Sequence, residues 1–388
     1  MRWTANRVST VRGAGYMNRL MNRSRCRSRA KAFAGVAFFL TKFRSGKSTV
    51  EDAASAVLFV CGGQVGDCVL ASGVLGHLVD TRPEARFTIA AVPAALPLFR
   101  NVPRLDRLIA LKKRRHRPRL HRLDLYRAVA PIRWDLVVSL RGPVLPWLLR
   151  ARERRATTRR RSPHDHVVVW LARQLGIDPP PAPRLWLSAR DSKEAALVMG
   201  DRPVLAVAPA ASWPGKQWPA ERFGEVAQRL TASGAILAGA RVAVFGRPSE
   251  QRQTAPVLAA IPPDSRIDIT DGRDLAQVAA CLSRARLFIG NDSGLMHMAA
   301  AARAPTLGLF GPTPPVTHDP WGEFTAVART KTSYQELRRQ FRVGAPIDQL
   351  MNGLTVDQVE RAAIDLYQRS ASPKKRGGAS NDRDDDGQ

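Results

Sequence analysis

A continuous apolar run at residues 56–61, followed by a glycine-bearing turn, is the feature that most constrains the fold. An apolar run without alternation is typical of a strand buried on both faces, as in the centre of a parallel sheet. The turn at residues 62–67 contains three glycines, and apolar residues then recur at helical spacing through residues 69–78. This strand–turn–helix unit predicts an α/β fold with parallel strands and crossover helices.

The alternation of strands and helices continues along the chain and restarts after a proline-rich break at residues 179–183. Before the break, further strands are predicted at residues 87–92, 107–111 and 135–140. After it, strands are predicted at 204–208, 241–245, 287–289 and 306–310, with helices at 220–230, 250–260, 275–284, 294–302 and 354–367. A length of 388 residues suits two domains of this kind.

We therefore predict an α/β protein of two Rossmann-like domains, an N-terminal one at residues 51–190 and a C-terminal one at 191–370. Residues 1–50 are predicted to be a basic extension, either disordered or lying on a membrane surface, and residues 371–388 a disordered tail. An alternative for the extension is that translation starts at Met17 or Met21.

The charge of the chain is extreme and unevenly distributed. The formal net charge is +28, and residues 1–50 contain twelve Lys or Arg and no acid. Basic runs recur at residues 112–117 and 159–161, within a basic stretch that covers 100–161. Such a charge attracts polyanions, which include nucleic acid, an acidic membrane surface and a phosphorylated substrate.

Two further features bear on the compartment. No apolar run reaches about 18 residues, so the sequence predicts no membrane-spanning helix. The four cysteines, Cys26, Cys61, Cys68 and Cys281, lack metal-ligand spacing. In an α/β protein they are expected to be buried free thiols in a reducing cytoplasm.

The most informative motif lies at residues 288–297, where a predicted strand ends and a helix begins. Asp292 or Ser293 occupies the expected N-cap, and the free backbone N–H groups that follow favour an anion. Ser293 and Gly294 can therefore cradle a phosphate, and Gly294 allows close approach to the backbone. His297 lies one helical turn further on the same face. The alternative is a simple cap with a packed histidine.

A second motif, at residues 209–219, follows a buried strand and precedes a helix. It lies at the carboxyl edge of the predicted sheet, where open α/β sheets bind ligands. Lys216 can pair with a phosphate as a point charge, and Ser212 can donate a hydroxyl. The alternative is a structural loop with a solvated lysine.

Two carboxylates complete the candidate set. Asp67 follows Gly66 after the first strand, and it can accept a proton from an attacking hydroxyl or can cap the helix. Glu250 follows the strand at 241–245, where a ribose-binding carboxylate is expected, although a first-turn glutamate on a helix explains it equally well.

These motifs, in this order, resemble glycosyltransferase family 9, the bacterial ADP-heptose–lipopolysaccharide heptosyltransferases. The resemblance covers roughly residues 56–369 and rests on four segments. They are Val57-Leu58-Phe59-Val60 with Gly66-Asp67 and Leu70, Ser212 with Lys216-x-Trp218-Pro219, Asn291-Asp292-Ser293-Gly294-x-x-His297, and Phe310-Gly311-Pro312-Thr313. It implies a GT-B fold, in which the two Rossmann-like domains face each other across a cleft.

The resemblance also implies an inverting transferase that needs neither metal nor cofactor, with ADP-heptose or a similar nucleotide sugar as donor. Asp67 resembles the general base that deprotonates the acceptor, and Asp292 the residue that orients the sugar. Ser212 and Lys216 resemble diphosphate contacts, with Ser293, Gly294 and His297 around the phosphates; Glu250 resembles the ribose contact. The catalytic residues are thus expected to be Asp67, Lys216 and Asp292.

The implied acceptor is an anionic glycolipid of the lipopolysaccharide core at the inner membrane. We therefore expect a cytoplasmic or peripheral protein that is a monomer and binds no nucleic acid. Family members often carry a basic residue near the end of the first strand, where this chain has residues 61–64, Cys-Gly-Gly-Gln. Alternatives are a transferase for another nucleotide sugar or a protein acceptor, a nucleic-acid-binding protein and an inactive scaffold.

Overall fold

The computed structural model describes residues 55–112, 120–157, 162, 164–344 and 346–371. The chain divides into the units Met1–Ala53 and Ala54–Gln388, and all described residues belong to the second. The predictions for residues 1–50, for most of the basic runs at 112–117 and 159–161, and for nearly all of the tail at 371–388 therefore lie outside the described residues.

The first sheet has five parallel strands in the order β3-β2-β1-β4-β5. Its strands are β1 (Ala56–Val60), β2 (Arg86–Ala91), β3 (Leu105–Ala110), β4 (Trp134–Ser139) and β5 (Ala151–Ala156). The helices of this part are α1 (Val65–Thr81), α2 (Leu120–Val129), α3 (Val144–Leu148), α4 (Val167–Leu175) and a 3-10 helix at Pro93–Phe99. The central strand β1 is buried along Val57 to Val60, as its apolar run predicts.

Helices cover both faces of this sheet. On one face, Val57 and Phe59 pack with residues of α1 and α4. On the other, Leu58 and Val60 pack with Leu125 of α2 and with other apolar residues around α2 and α3. Burial on both faces explains why β1 shows no hydrophobic alternation.

The second sheet has six parallel strands in the order β11-β10-β9-β6-β7-β8. They are β6 (Val204–Ala208), β7 (Arg241–Phe245), β8 (Arg266–Ile269), β9 (Leu287–Asn291), β10 (Thr306–Phe310) and β11 (Thr325–Arg329). The helices are α5 (Ala189–Met199), α6 (Ala220–Thr231), α7 (Gln251–Ala260), α8 (Leu275–Leu282), α9 (Gly294–Ala301), α10 (Pro315–His318), α11 (Tyr334–Arg342) and α12 (Val356–Ala371). Short 3-10 helices lie at Pro214–Lys216, Pro248–Glu250, Pro263–Ser265 and Ile347–Gln349.

The strand orders place a topological switch point in each sheet. β1 lies between β2 and β4, and β6 lies between β9 and β7. Ligands of open α/β sheets bind in the crevice outside the carboxyl ends of the strands at such points. The loops that follow β1, β6 and β9 carry the three motifs singled out in the sequence, so the topology brings these motifs to the carboxyl edges of the two sheets.

The two sheets are joined by a shared apolar core and by one arginine that bonds two aspartates. Apolar residues of both, including Phe59 and Phe288, belong to one continuous core. Arg100 donates hydrogen bonds to Asp191 of α5 and to Asp274, the N-cap of α8, the latter at 2.5 Å. Although burial raises the pKa of Asp191, bonding to Ser188 and the charge of Arg100 hold it below its usual value. The domain boundary at residue 190 stays a prediction.

The predicted pair of Rossmann-like domains facing across a cleft is confirmed. The strands at 204–208, 241–245 and 306–310 have the predicted bounds, whereas β5, β8 and β11 were not predicted. β5 has the sequence Ala-Arg-Glu-Arg-Arg-Ala, so no apolar run marks it. Within the described ranges, no helix is long and apolar enough to cross a membrane.

Candidate functional site

A cavity of about 730 Å³ lies at the carboxyl edges of both sheets. It brings together residues from the loops after β1, β6, β7, β9 and β10. All eight predicted site residues line it: Asp67, Ser212, Lys216, Glu250, Asp292, Ser293, Gly294 and His297. The cavity is thus formed by both halves of the described chain.

Two helix N-termini meet at this cavity. Gly66 is the second residue of α1 and Gly294 the first of α9, and the two helices pack against each other. A Cβ atom on Gly66 would lie 3.1 Å from Cδ2 of His297, and one on Gly294 would lie 3.3 Å from Cγ1 of Val65. Each helix N-terminus carries roughly half a positive charge, so both favour an anion in the cavity. The glycines allow this close approach between helices.

Ser293 occupies the N-cap of α9, but its side chain does not cap the helix. Its Oγ is buried and has no hydrogen-bond partner within the described structure. A buried hydroxyl without a partner costs free energy, and such groups in native proteins usually meet a ligand or water. The hydroxyl and the free N–H groups of the first turn are therefore available to an anionic ligand.

Asp292 and Lys216 form the central ion pair of the site. Nζ of Lys216 donates to Oδ2 of Asp292 at 2.7 Å, and Oγ1 of Thr313 donates to the same oxygen at 2.8 Å. The carboxylate is largely buried, with 8% of its side chain exposed, whereas the lysine is 22% exposed. Lys216 can therefore shift from Asp292 towards a ligand, while Thr313 keeps the carboxylate in place.

Asn291 fixes the loop that carries Lys216, a role that sequence reasoning missed. Its Nδ2 donates to the carbonyl oxygen of Pro209 at 2.7 Å, and its Oδ1 accepts from the backbone N–H of Trp218 at 3.1 Å. The residue is fully buried, and Nε1 of Trp218 in turn donates to the carbonyl of Leu354 at 2.8 Å. These bonds join β9 to both ends of the 209–219 loop.

His297 is buried beside the ion pair, with 5% of its surface exposed. Burial lowers its pKa to about 3, and the opposing attraction of Asp292 is smaller. The imidazole is therefore neutral near pH 7. Its Nδ1 is buried without a hydrogen-bond partner among the described residues, and the ring of His318 lies 6.5 Å away. A neutral imidazole can donate one hydrogen bond to a ligand oxygen.

Asp67 lies on the α1 side of the cavity. It is the third residue of α1, and its Oδ2 accepts from the backbone N–H of Gln64 at 3.0 Å as part of a capping box. A Cβ atom on Gly62 would lie 2.9 Å from Cβ of Asp67, so the glycine makes room for this side chain. The carboxylate caps the helix and lines the cavity at the same time.

Glu250 and Ser212 also line the cavity. Oε2 of Glu250 accepts from the backbone N–H of Arg247 at 2.9 Å, and Oε1 accepts from its guanidinium at 2.6 Å. A ligand hydroxyl must therefore share this carboxylate with Arg247. Ser212 is exposed at the cavity. Arg247, Arg273, Thr317 and His318 also line the cavity and were not predicted as site residues.

A protein-family model described as glycosyltransferase family 9 (heptosyltransferase) matches residues 153–345. The chain is 29% identical over 170 residues to lipopolysaccharide heptosyltransferase 2 of Salmonella typhimurium, a stretch covering 41% of this chain and 47% of that protein. It is 30% identical over 141 residues to lipooligosaccharide heptosyltransferase 2 of Haemophilus influenzae, covering 35% and 39% respectively. The match thus spans less than half the length of each of these two relatives.

The fold has solved counterparts. A family 9 glycosyl transferase from Veillonella parvula superposes with a TM-score of 0.69 at 22% identity, over 83% of this chain and 100% of that chain. This structural similarity covers both sheets, whereas the family model matches residues 153–345. By its motifs, its family match and its GT-B architecture, the chain belongs to glycosyltransferase family 9.

Proposed function

We propose that the protein transfers a heptose from ADP-heptose to an anionic acceptor of the lipopolysaccharide core. The observation that carries this proposal is the arrangement of the cavity. The Lys216–Asp292 pair and the N-terminus of α9 line it from one half of the chain, and Asp67 lines it from the other. This is the disposition that a direct transfer between two bound substrates needs.

The donor side of the cavity suits a diphosphate. Lys216 supplies a charge, and the N-terminus of α9 supplies free backbone donors. Ser293 Oγ and His297 Nδ1 are buried polar atoms that lack partners among the described residues. When the glycosyl–phosphate bond breaks, negative charge grows on the diphosphate, and donors already in place lower the barrier.

On the acceptor side, we propose Asp67 as the general base. Asp67 accepts the proton of the acceptor hydroxyl, and the hydroxyl oxygen of the acceptor forms a bond to the anomeric carbon. The bond from that carbon to the β-phosphate oxygen breaks, and its electron pair leaves with ADP. Attack opposite to the leaving group inverts the anomeric carbon. Asp292 is proposed to orient the sugar between these groups, and Glu250 and Ser212 to contact the ribose and the diphosphate.

We further propose that this reaction needs no metal ion, because Lys216 and the helix N-termini supply the positive charge that a metal would bring. Full transfer activity in a chelator is the expected result. We also propose that the enzyme works as a monomer at the cytoplasmic face of the inner membrane. The basic stretch at residues 100–161 belongs to the half that carries Asp67, so it would face an acidic acceptor.

Calorimetric titration with ADP-heptose, ADP, UDP-sugars and GDP-sugars tests the donor. We expect selective binding of ADP-heptose and a loss of about 1.5–3 kcal/mol in Lys216→Ala, as for a charge-assisted hydrogen bond. Lys193→Ala is the matched control, because Lys193 is exposed and does not line the cavity. Preference for another nucleotide would identify a different transferase, and binding of none would contradict the proposal and favour a scaffold or a nucleic-acid-binding protein.

A further inference from the structure

A cluster of apolar side chains is exposed on α3, the short helix between β4 and β5 of the first sheet. Val144, Trp147 and Leu148 of α3 are exposed to 66%, 74% and 60%. Single exposed apolar residues are common on protein surfaces, but three on one short helix form a patch. None of the three lines the cavity described above.

The local packing holds these side chains outward. The guanidinium of Arg154 lies 5.7 Å from the centre of the Trp147 ring. Its Nε and Nη2 donate to the carbonyl oxygens of Pro146 and Leu149, each at 3.0 Å. Pro146 lies within α3 and Leu149 directly follows it, and both are buried, so the helix is anchored at its middle and at its C-terminal end. The tryptophan is thus held at the surface by a cation and by a fixed backbone.

Positive charge lies beside the patch. In β5, Arg152 and Arg154 alternate with Glu153, so the two arginines share the face that α3 covers. Glu153 is engaged by Arg82 and Arg155, each at 2.6 Å. Between residues 141 and 157 the sequence has one acid, Glu153, and five arginines: Arg141, Arg150, Arg152, Arg154 and Arg155.

The patch begins at the cavity edge of the sheet. Ser139, the last residue of β4, is paired with Val60, the last residue of β1. The chain then reaches α3 within five residues, at Val144, whereas from Val60 it reaches α1 and Asp67. After α3 the chain reaches the opposite edge of the sheet, because Ala151, the first residue of β5, is paired with Trp134, the first residue of β4. The patch therefore lies on the crossover between the two edges, in the half of the chain that carries Asp67.

We propose that Val144, Trp147 and Leu148, with Arg150 and the β5 residues Arg152 and Arg154, dock the protein on the surface of an anionic phospholipid bilayer. Tryptophan and aliphatic side chains enter the interfacial region of a bilayer, and arginines beside them attract anionic headgroups. Nucleic acid would use the arginines but not the exposed Val144 and Leu148. A symmetric dimer through this patch would bring two arginine clusters together, which is unfavourable.

The proposal rests on the proposed function for its purpose, because an enzyme with a lipid-anchored acceptor works at the bilayer surface. Vesicle binding is measured without donor or acceptor, so it succeeds or fails independently of transfer. If vesicles bind through the patch but no heptose is transferred, the docking surface stands and the proposed function fails.

The experiment is flotation of the full chain with vesicles of phosphatidylglycerol and phosphatidylethanolamine, compared with phosphatidylcholine alone. We expect Trp147→Ser with Leu148→Ser to weaken binding to the anionic vesicles at least about tenfold. Arg150→Gln with Arg152→Gln should weaken it roughly 30-fold at low salt, since each charge near such a surface contributes about fivefold. Residues 1–50 are present in every variant, so differences report the patch.

The control variant is Leu197→Ser, because Leu197 is exposed to 79% on α5, far along the chain from α3. Equal loss of vesicle binding in this variant, or unchanged binding in both patch variants, would overturn the proposal. Vesicles with bromine-labelled acyl chains should also quench part of the tryptophan fluorescence of the unchanged protein. This quenching should be absent in Trp147→Phe. Vesicle binding without that quenching would show that Trp147 does not enter the bilayer and would refute docking through α3.

Discussion

Replacing Asp292 by Asn tests how the ion pair controls donor binding. Lys216 donates to Asp292 Oδ2 at 2.7 Å, so a diphosphate must share the lysine with this carboxylate. Asn keeps an oxygen for the hydroxyl of Thr313 but removes the charge. We therefore expect Asp292→Asn to bind ADP more tightly while it transfers sugar poorly, if Asp292 orients the sugar.

The magnitude follows from the geometry. A phosphate oxygen bonded to Lys216 at the usual distance would lie about 5 Å from Oδ2 of Asp292. At an effective dielectric constant of about 20, one like-charge pair at that distance costs roughly 3 kcal/mol. Partial exposure of Lys216 reduces this figure, so we expect a gain of about 1.5–3 kcal/mol, roughly 10- to 150-fold in the Kd of ADP.

The assay is calorimetric titration with ADP, which lacks the sugar and so isolates the diphosphate contact. Asp264→Asn is the control, because Asp264 is exposed in the same half of the chain and does not line the cavity. Thermal unfolding confirms that each variant is folded. Unchanged or weaker ADP binding in a folded Asp292→Asn variant would refute the view that Asp292 competes for Lys216.

Three further variants test other parts of the site. Asp67→Ala should abolish transfer and leave donor affinity nearly intact, with a loss of about 1 kcal/mol of stability from the capping box; an equal loss of donor affinity in the titration would exclude the proposed base. Because the pKa of His297 is about 3 in the folded state, protonation favours unfolding as the pH falls below 6.5. Urea unfolding at pH 7 and pH 5 should therefore show about 2 kcal/mol less acid destabilisation in His297→Gln than in the unchanged protein, and equal losses would contradict a buried neutral imidazole. Gly66→Ala should reduce transfer more than tenfold, since its Cβ would press on His297 at 3.1 Å and displace α1 from α9; turnover assays at saturating donor measure it, and full activity would show that the contact adapts.

The sequence predicted the fold well wherever strands are buried. β6, β7 and β10 match their predicted bounds because a strand buried on both faces needs an unbroken apolar run. β5 was missed because it is an edge strand rich in arginine. Edge strands satisfy only one side of their backbone through the sheet and can carry charges, so their sequences resemble loops.

For the candidate site, the sequence by itself determined which side chains gather at one edge, because motifs that follow parallel strands meet where those strands end. Only the tertiary structure decided which partner each of them has. Arg247 engages Glu250, Asn291 clamps the Lys216 loop, and Ser293 Oγ is left without a partner among the described residues. The sequence also did not predict the close approach of Gly66 to α9 or the exposure of Trp147. Hydrogen bonds and burial depend on residues distant along the chain, whereas periodicity and caps are local, and only the local features can be read from one sequence.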